Sequence, residues 1–132
     1  MRRHSELEED ILYLKTMIFY ADEVKRKFTL IDLEDDSLEQ EMFLDSVALM
    51  VGQFGEQLDK DKLSYGSYIK YRGKYPLHDM KQSRHDIYHE YGTLALETLV
   101  KHVKVDIPQW VEDIYRMIRD LERDLDRVHE SD

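Results

Sequence analysis

Between His78 and Gly92 the chain gathers nearly every side chain it has for acid–base or phosphate chemistry: His78-Asp79-Met80-Lys81-Gln82-Ser83-Arg84-His85-Asp86-Ile87-Tyr88-His89-Glu90-Tyr91-Gly92. Two subsets of this segment have meaningful spacing. On a straight helix His78, His85 and His89 fall within about 40° of one another, and His85 and His89 are one turn apart, as in a zinc pair. No cysteine, evident third ligand or HExxH glutamate accompanies them, so surface histidines are the better reading and no metal is expected. The second subset is Arg84-x4-His89-x-Tyr91. A histidine with an ordinary pKa near 6.5 can move a proton at neutral pH. An arginine is always charged, and its planar fork grips two phosphate oxygens. The bland alternative has Arg84 paired with Asp79 or Asp86, His89 at the edge of the core and Tyr91 packing with its hydroxyl in water.

The surroundings of this segment are unusual for the chain. The 132 residues carry a net charge of −10, which disfavours general affinity for nucleic acid. Yet residues 60–89 hold seven Lys and Arg against three acids, together with five of the nine tyrosines and three of the six histidines. Lys70, Arg72, Lys74, Lys81 and His85 in this island are the candidate contacts to an anionic partner, which the family resemblance carried by Arg84-x4-His89-x-Tyr91 would make RNA. The acidic remainder would face a protein partner. With 42% hydrophobic and 36% charged residues, only 5 Gly and 2 Pro, and no Cys, disordered, collagen-like and disulfide-built classes are excluded. The longest apolar run, Val47 to Val51, is far short of a membrane span. No apolar stretch follows the basic start as a secretory signal requires. A soluble, cytoplasmic protein of one domain over residues 1–132 is expected, with no membrane association.

The elements that must position these groups are helical. Ser5 with Glu8 forms a capping box ahead of a stripe at Leu7, Ile11, Leu14, Ile18, Ala21 and Phe28. Residues 29–36 read as a loop. Ser37 with Gln40 opens a second helix whose buried face is Phe43, Val47, Met50, Val51, Phe54 and Leu58. Gly52 and Gly55 lie inside it at a cost of about 1 kcal/mol each relative to Ala, which points to close approach by another helix. Residues 59–76, rich in tyrosine and broken by Gly66, Gly73 and Pro76, read as the longest connection. A third helix is expected from Leu77 to about Tyr91, stopped by Gly92. Thr93 would cap a short segment through Leu96, Leu99, Val100 and Val103. Asp106 ahead of Ile107-Pro108 would start the last helix, with a stripe at Val111, Ile114, Ile118, Leu121, Leu125 and Val128. The expected fold is all-α, an up-and-down bundle of four main helices plus a short one.

The motif Arg84-x4-His89-x-Tyr91 resembles the R-x4-H-x-Y signature of the HepT proteins, a branch of the HEPN superfamily of all-helical domains. The helix through Gly55-Glu56 is similar to that family's I-x-x-I-G-E-A helix. Asp106-Ile107-Pro108 is similar to its D-L-P-x-L start of the final helix. The likeness runs in matching order over most of the chain. It implies a HEPN-like homodimer acting as the toxin of a toxin–antitoxin pair, a metal-independent RNA endonuclease that needs no cofactor. Arg84 and His89 would be the catalytic pair. Tyr91 would accept AMP from a cognate minimal nucleotidyltransferase antitoxin, which consumes ATP, and so silence the toxin. A nucleotide added at Tyr91 would exclude RNA by bulk and charge.

The chain departs from the family pattern at His85, where Asn follows the arginine, and at Glu90, where a small or neutral residue precedes the tyrosine. The alternative reading is therefore a catalytically inactive HEPN module that only partners a nucleotidyltransferase. One regular helix would also set Arg84 and His89 about 140° apart. A loosened helix end, the reach of the arginine, or a site combining two subunits would each bring them together.

Overall fold

The computed structural model describes residues 4–32, 34–88, 92 and 94–131. Its elements are α1 (His4–Phe28), α2 (Leu38–Glu56), α3 (Tyr65–Arg72), α4 (Leu77–Asp86), α5 (Leu96–Lys101), a π-helical turn (His102–Asp106) and α6 (Ile107–Ser131). The fold is all-α. Among the described residues the only β-type contact is an isolated antiparallel bridge between Tyr88 and Leu94, and no helix is long and apolar enough to cross a membrane.

α1 is the axis of the core. Its expected stripe is buried from Leu7 to Ala21, and Met17 and Val24 widen it. It packs on both α2 and α6, and its last turns line one hollow together with Val103 of the π turn and Ile107 and Val111 of α6. Ile114, Met117, Ile118 and Leu121 complete the α6 side. Phe54 stacks on Trp110 with centroids 6.1 Å apart, joining α2 to α6. Ser37 caps α2 as expected, its side chain accepting from the Gln40 N–H.

Four expectations need correction. α1 is already helical at His4, so Ser5 lies inside it, and Glu8 pairs with His4 Nδ1 at 2.7 Å. The connection 59–76 contains helix α3, capped by Ser64 and tied to α1 by Asp10. Asp10 is buried and accepts from the Ser64 N–H (2.8 Å), Ser64 Oγ (2.6 Å) and Ser67 Oγ. Those three donors supply what a carboxylate loses on leaving water. The third expected helix ends early, at Asp86. Ile87 is fully buried, and its N–H closes on the Arg84 and His85 carbonyls, turning the chain into the core.

The fourth correction concerns Asp106, which caps nothing. The helix runs without a break from Leu96 to Ser131 through the π turn. Pro108 has no N–H to give, and its ring would crowd the carbonyl four residues back. The π turn absorbs this by shifting to longer bonds, the Ile107 N–H reaching the His102 carbonyl. The Thr93 cap lies outside the described residues, and α5 begins at Leu96 with no side-chain cap.

Candidate functional site

Arg84 sits in the last turn of α4, and α2 determines where that helix lies. A Cβ on Gly55 would stand 2.7 Å from the Met80 carbonyl oxygen and 3.2 Å from that of Lys81. Only a residue without a side chain lets the α4 backbone approach this closely. One turn earlier, a Cβ on Gly52 would stand 2.5 Å from Arg84 Cδ. The aliphatic stem of Arg84 therefore crosses α2 in the slot that Gly52 leaves open. Buried Met80 and Ser83 seat the helix, with Ser83 Oγ donating to the Met80 carbonyl. Gly55 of the Gly55-Glu56 pair is thus a packing residue.

Arg84 is exposed. Among the described residues it makes no hydrogen bond or ion pair, with Asp79 and Asp86 included. His85 is also exposed. His89 and Tyr91, the other two motif residues, lie outside the described residues, as does Glu90. The chain on either side of them is fixed. Tyr88 bridges Leu94, the Ala95 N–H donates to the Ile87 carbonyl at 2.6 Å, and Gly92 takes φ +81°. Because α4 ends at Asp86, its helical geometry does not impose the 140° separation expected of Arg84 and His89.

The basic island is divided by its ion pairs. Lys70 is held by Asp120 and Asp124, both at 2.9 Å, and its pKa is raised because those contacts outweigh partial burial. Lys81 lies 3.7 Å from Asp59 and over the Tyr68 ring. Arg72 and Lys74 remain exposed at the end of α3.

The sequence reading missed His102. It is buried in the π turn, 7% exposed, with its ring 5.5 Å from Trp110. Nδ1 lies 2.7 Å from Asp106 Oδ2. A carboxylate only accepts, so Nδ1 carries a proton and donates its hydrogen bond to Asp106. Nε2 is buried without a hydrogen-bond partner among the described residues and lies 3.9 Å from Asp86 Oδ2. A buried imidazole oriented by one carboxylate thus faces a second, Asp86, which stands two residues beyond Arg84 on α4. The signal was present in the sequence: His102 and Asp106 are four apart, just ahead of a proline that forces a wider turn, and single π turns recur at functional sites.

No family model matches the chain, and neither do curated proteins or solved structures. The site must be read from its own residues.

Proposed function

We propose that this protein is a HepT-like RNA endonuclease of the HEPN type, acting as a homodimeric toxin in the cytoplasm. The observation that carries the reading is Arg84: an exposed guanidinium with no ion pair among the described residues, on a braced helix, five residues ahead of a histidine and seven ahead of a tyrosine. His89 accepts the proton of an RNA 2′-OH, and O2′ attacks the adjacent phosphorus. The P–O5′ bond breaks, the 5′-oxygen takes up a proton, and the products are a 2′,3′-cyclic phosphate and a 5′-hydroxyl. Arg84 stabilises the charge that builds on the non-bridging oxygens. No metal enters these steps. Tyr91 is the acceptor for AMP from a nucleotidyltransferase antitoxin, a modification that excludes RNA by bulk and charge.

The test is cleavage of total RNA by purified protein in the presence of a chelator. Wild type should yield fragments ending in cyclic phosphate. Arg84→Ala and His89→Ala should each lose at least about a hundredfold in rate, the usual worth of a charge-stabilising or proton-transfer group. Tyr91→Phe should cleave and should take up no AMP from the partner. A folded wild-type protein that cleaves nothing but is adenylylated on Tyr91 would instead establish the non-catalytic partner reading.

A further inference from the structure

A second concentration of charge lies away from Arg84, where α3 meets the C-terminal half of α6. Arg116, Arg119 and Arg123 project from one face of α6 at three- and four-residue spacing, and Lys74 enters from the turn after α3. Together with Tyr71 and Tyr75 they line a concavity of about 280 Å³. All four cations are exposed. In a chain of net charge −10, four cations around one hollow are out of keeping with the rest of the surface.

The acids nearby offset them only in part. Asp120, the one carboxylate in the lining, accepts from Tyr71 Oη and is paired with Lys70, which does not line the hollow. Arg123 approaches its other oxygen only at 3.4 Å, and Arg116 approaches Asp113 at the same distance. Among the described residues Arg119 and Lys74 have no ion pair, and Lys74 lies 5.7 Å from the Tyr75 ring centroid. Three arginine forks and an ammonium converging on a small hollow suit the oxygens of phosphate. One ring, Tyr71, is buried and the other is covered by Lys74. The pocket is therefore built for phosphate rather than for stacking a base.

We propose that this pocket binds the phosphate groups of a nucleotide, supplied either by a single-stranded RNA or by a free nucleoside triphosphate. It goes beyond the proposed cleavage, because it uses none of Arg84, His89 or Tyr91 and its occupancy is read without catalysis. Lys74 lies three residues before α4 and Arg84 in its last turn, so about 10 Å of helix lies between them. An RNA strand of several nucleotides would reach both.

The experiment measures binding of a 2′-O-methylated oligouridine, which cannot be cleaved, and of ATP, each across a range of salt. Proteins are wild type, Arg116→Ala/Arg119→Ala, Lys74→Glu and, as a control at an exposed cation outside both sites, Lys15→Ala. These side chains are exposed, so unchanged thermal unfolding verifies that the variants are folded. The arginine double variant should bind roughly tenfold more weakly, and its log–log salt slope for the strand should fall by about 1.4, the value for two lost phosphate contacts. Lys74→Glu should weaken binding in the same direction. Loss of strand binding alone identifies RNA as the source; loss of ATP binding identifies the free nucleotide. Failure of wild type to bind either probe, or equal binding by wild type and both pocket variants, overturns the assignment. Because the strand resists cleavage, either result is independent of whether the protein is a nuclease.

Discussion

Replacing each of the two glycines of α2 by alanine should have opposite effects on stability. In a helix interior, Gly→Ala alone gains about 1 kcal/mol. At Gly55 the new methyl would lie 2.7 Å from the Met80 carbonyl oxygen and 3.2 Å from that of Lys81. Both are backbone atoms of a seated helix, so α4 itself must move, and overpacking of this kind costs about 1–3 kcal/mol. Gly55→Ala should therefore be less stable than wild type by about 1 kcal/mol. At Gly52 the obstacle is Arg84 Cδ, part of an exposed and flexible side chain that can swing aside. Gly52→Ala should keep most of the propensity gain and be as stable as wild type or up to about 1 kcal/mol more so. The two variants should thus differ by up to about 2 kcal/mol, or several degrees in Tm for a chain of this size. Urea unfolding followed by far-UV circular dichroism measures this directly. The displaced Arg84 adds a second readout: Gly52→Ala should lose RNA cleavage while remaining fully folded. Equal destabilisation by the two alanines would refute the reasoning, since it would mean that the Arg84 stem is as immovable as backbone.

Three further outcomes follow from the packing and charges. Asp10→Ala leaves Ser64 and Ser67 donors without their buried acceptor and should cost about 2–4 kcal/mol in urea unfolding, with early proteolysis in α3. The Asp120 carboxyl is lowered from 3.8 to about 2, because Tyr71, Lys70 and Arg123 together outweigh the upward push of burial. A depressed carboxylate stabilises the fold above its unfolded value, and that contribution is lost as the pH falls from about 4 towards 2. For a side chain about a third exposed it is worth about 1 kcal/mol after screening, so Asp120→Asn should be less stable than wild type at pH 7 and nearly equal to it at pH 2. His102→Ala removes the partner of Asp106 and the ring against Trp110, and should lower stability by about 1–3 kcal/mol; a change in the emission of the single tryptophan would report the altered contact.

The long stripes of α1 and α6 and the Ser37 cap were legible because local pattern and tertiary burial agree there. Elements whose stability comes from distant groups were not. α3 has eight residues and a weak stripe, and it depends on Asp10, 54 positions before Ser64. The early end of α4 depends on Ile87 turning into the core, which no helix signal announces. The helix start expected at Asp106 failed because a π turn carries the chain past Pro108. At the site, Gly52 and Gly55 correctly announced a close helix approach, and the structure adds that Arg84 fills the slot at Gly52. The basic island was only half legible. Lys70 is consumed by α6 acids, while the arginines that join Lys74 come from the otherwise acidic last helix, where charge counting along the sequence hides them.

Expression in a bacterial host without any antitoxin, with growth and RNA integrity followed together, decides whether this protein cuts RNA. Wild type should give growth arrest and RNA fragments ending in 2′,3′-cyclic phosphate, and Arg84→Ala/His89→Ala should give neither at equal protein levels. Normal growth and intact RNA in cells holding folded wild-type protein would contradict the nuclease reading.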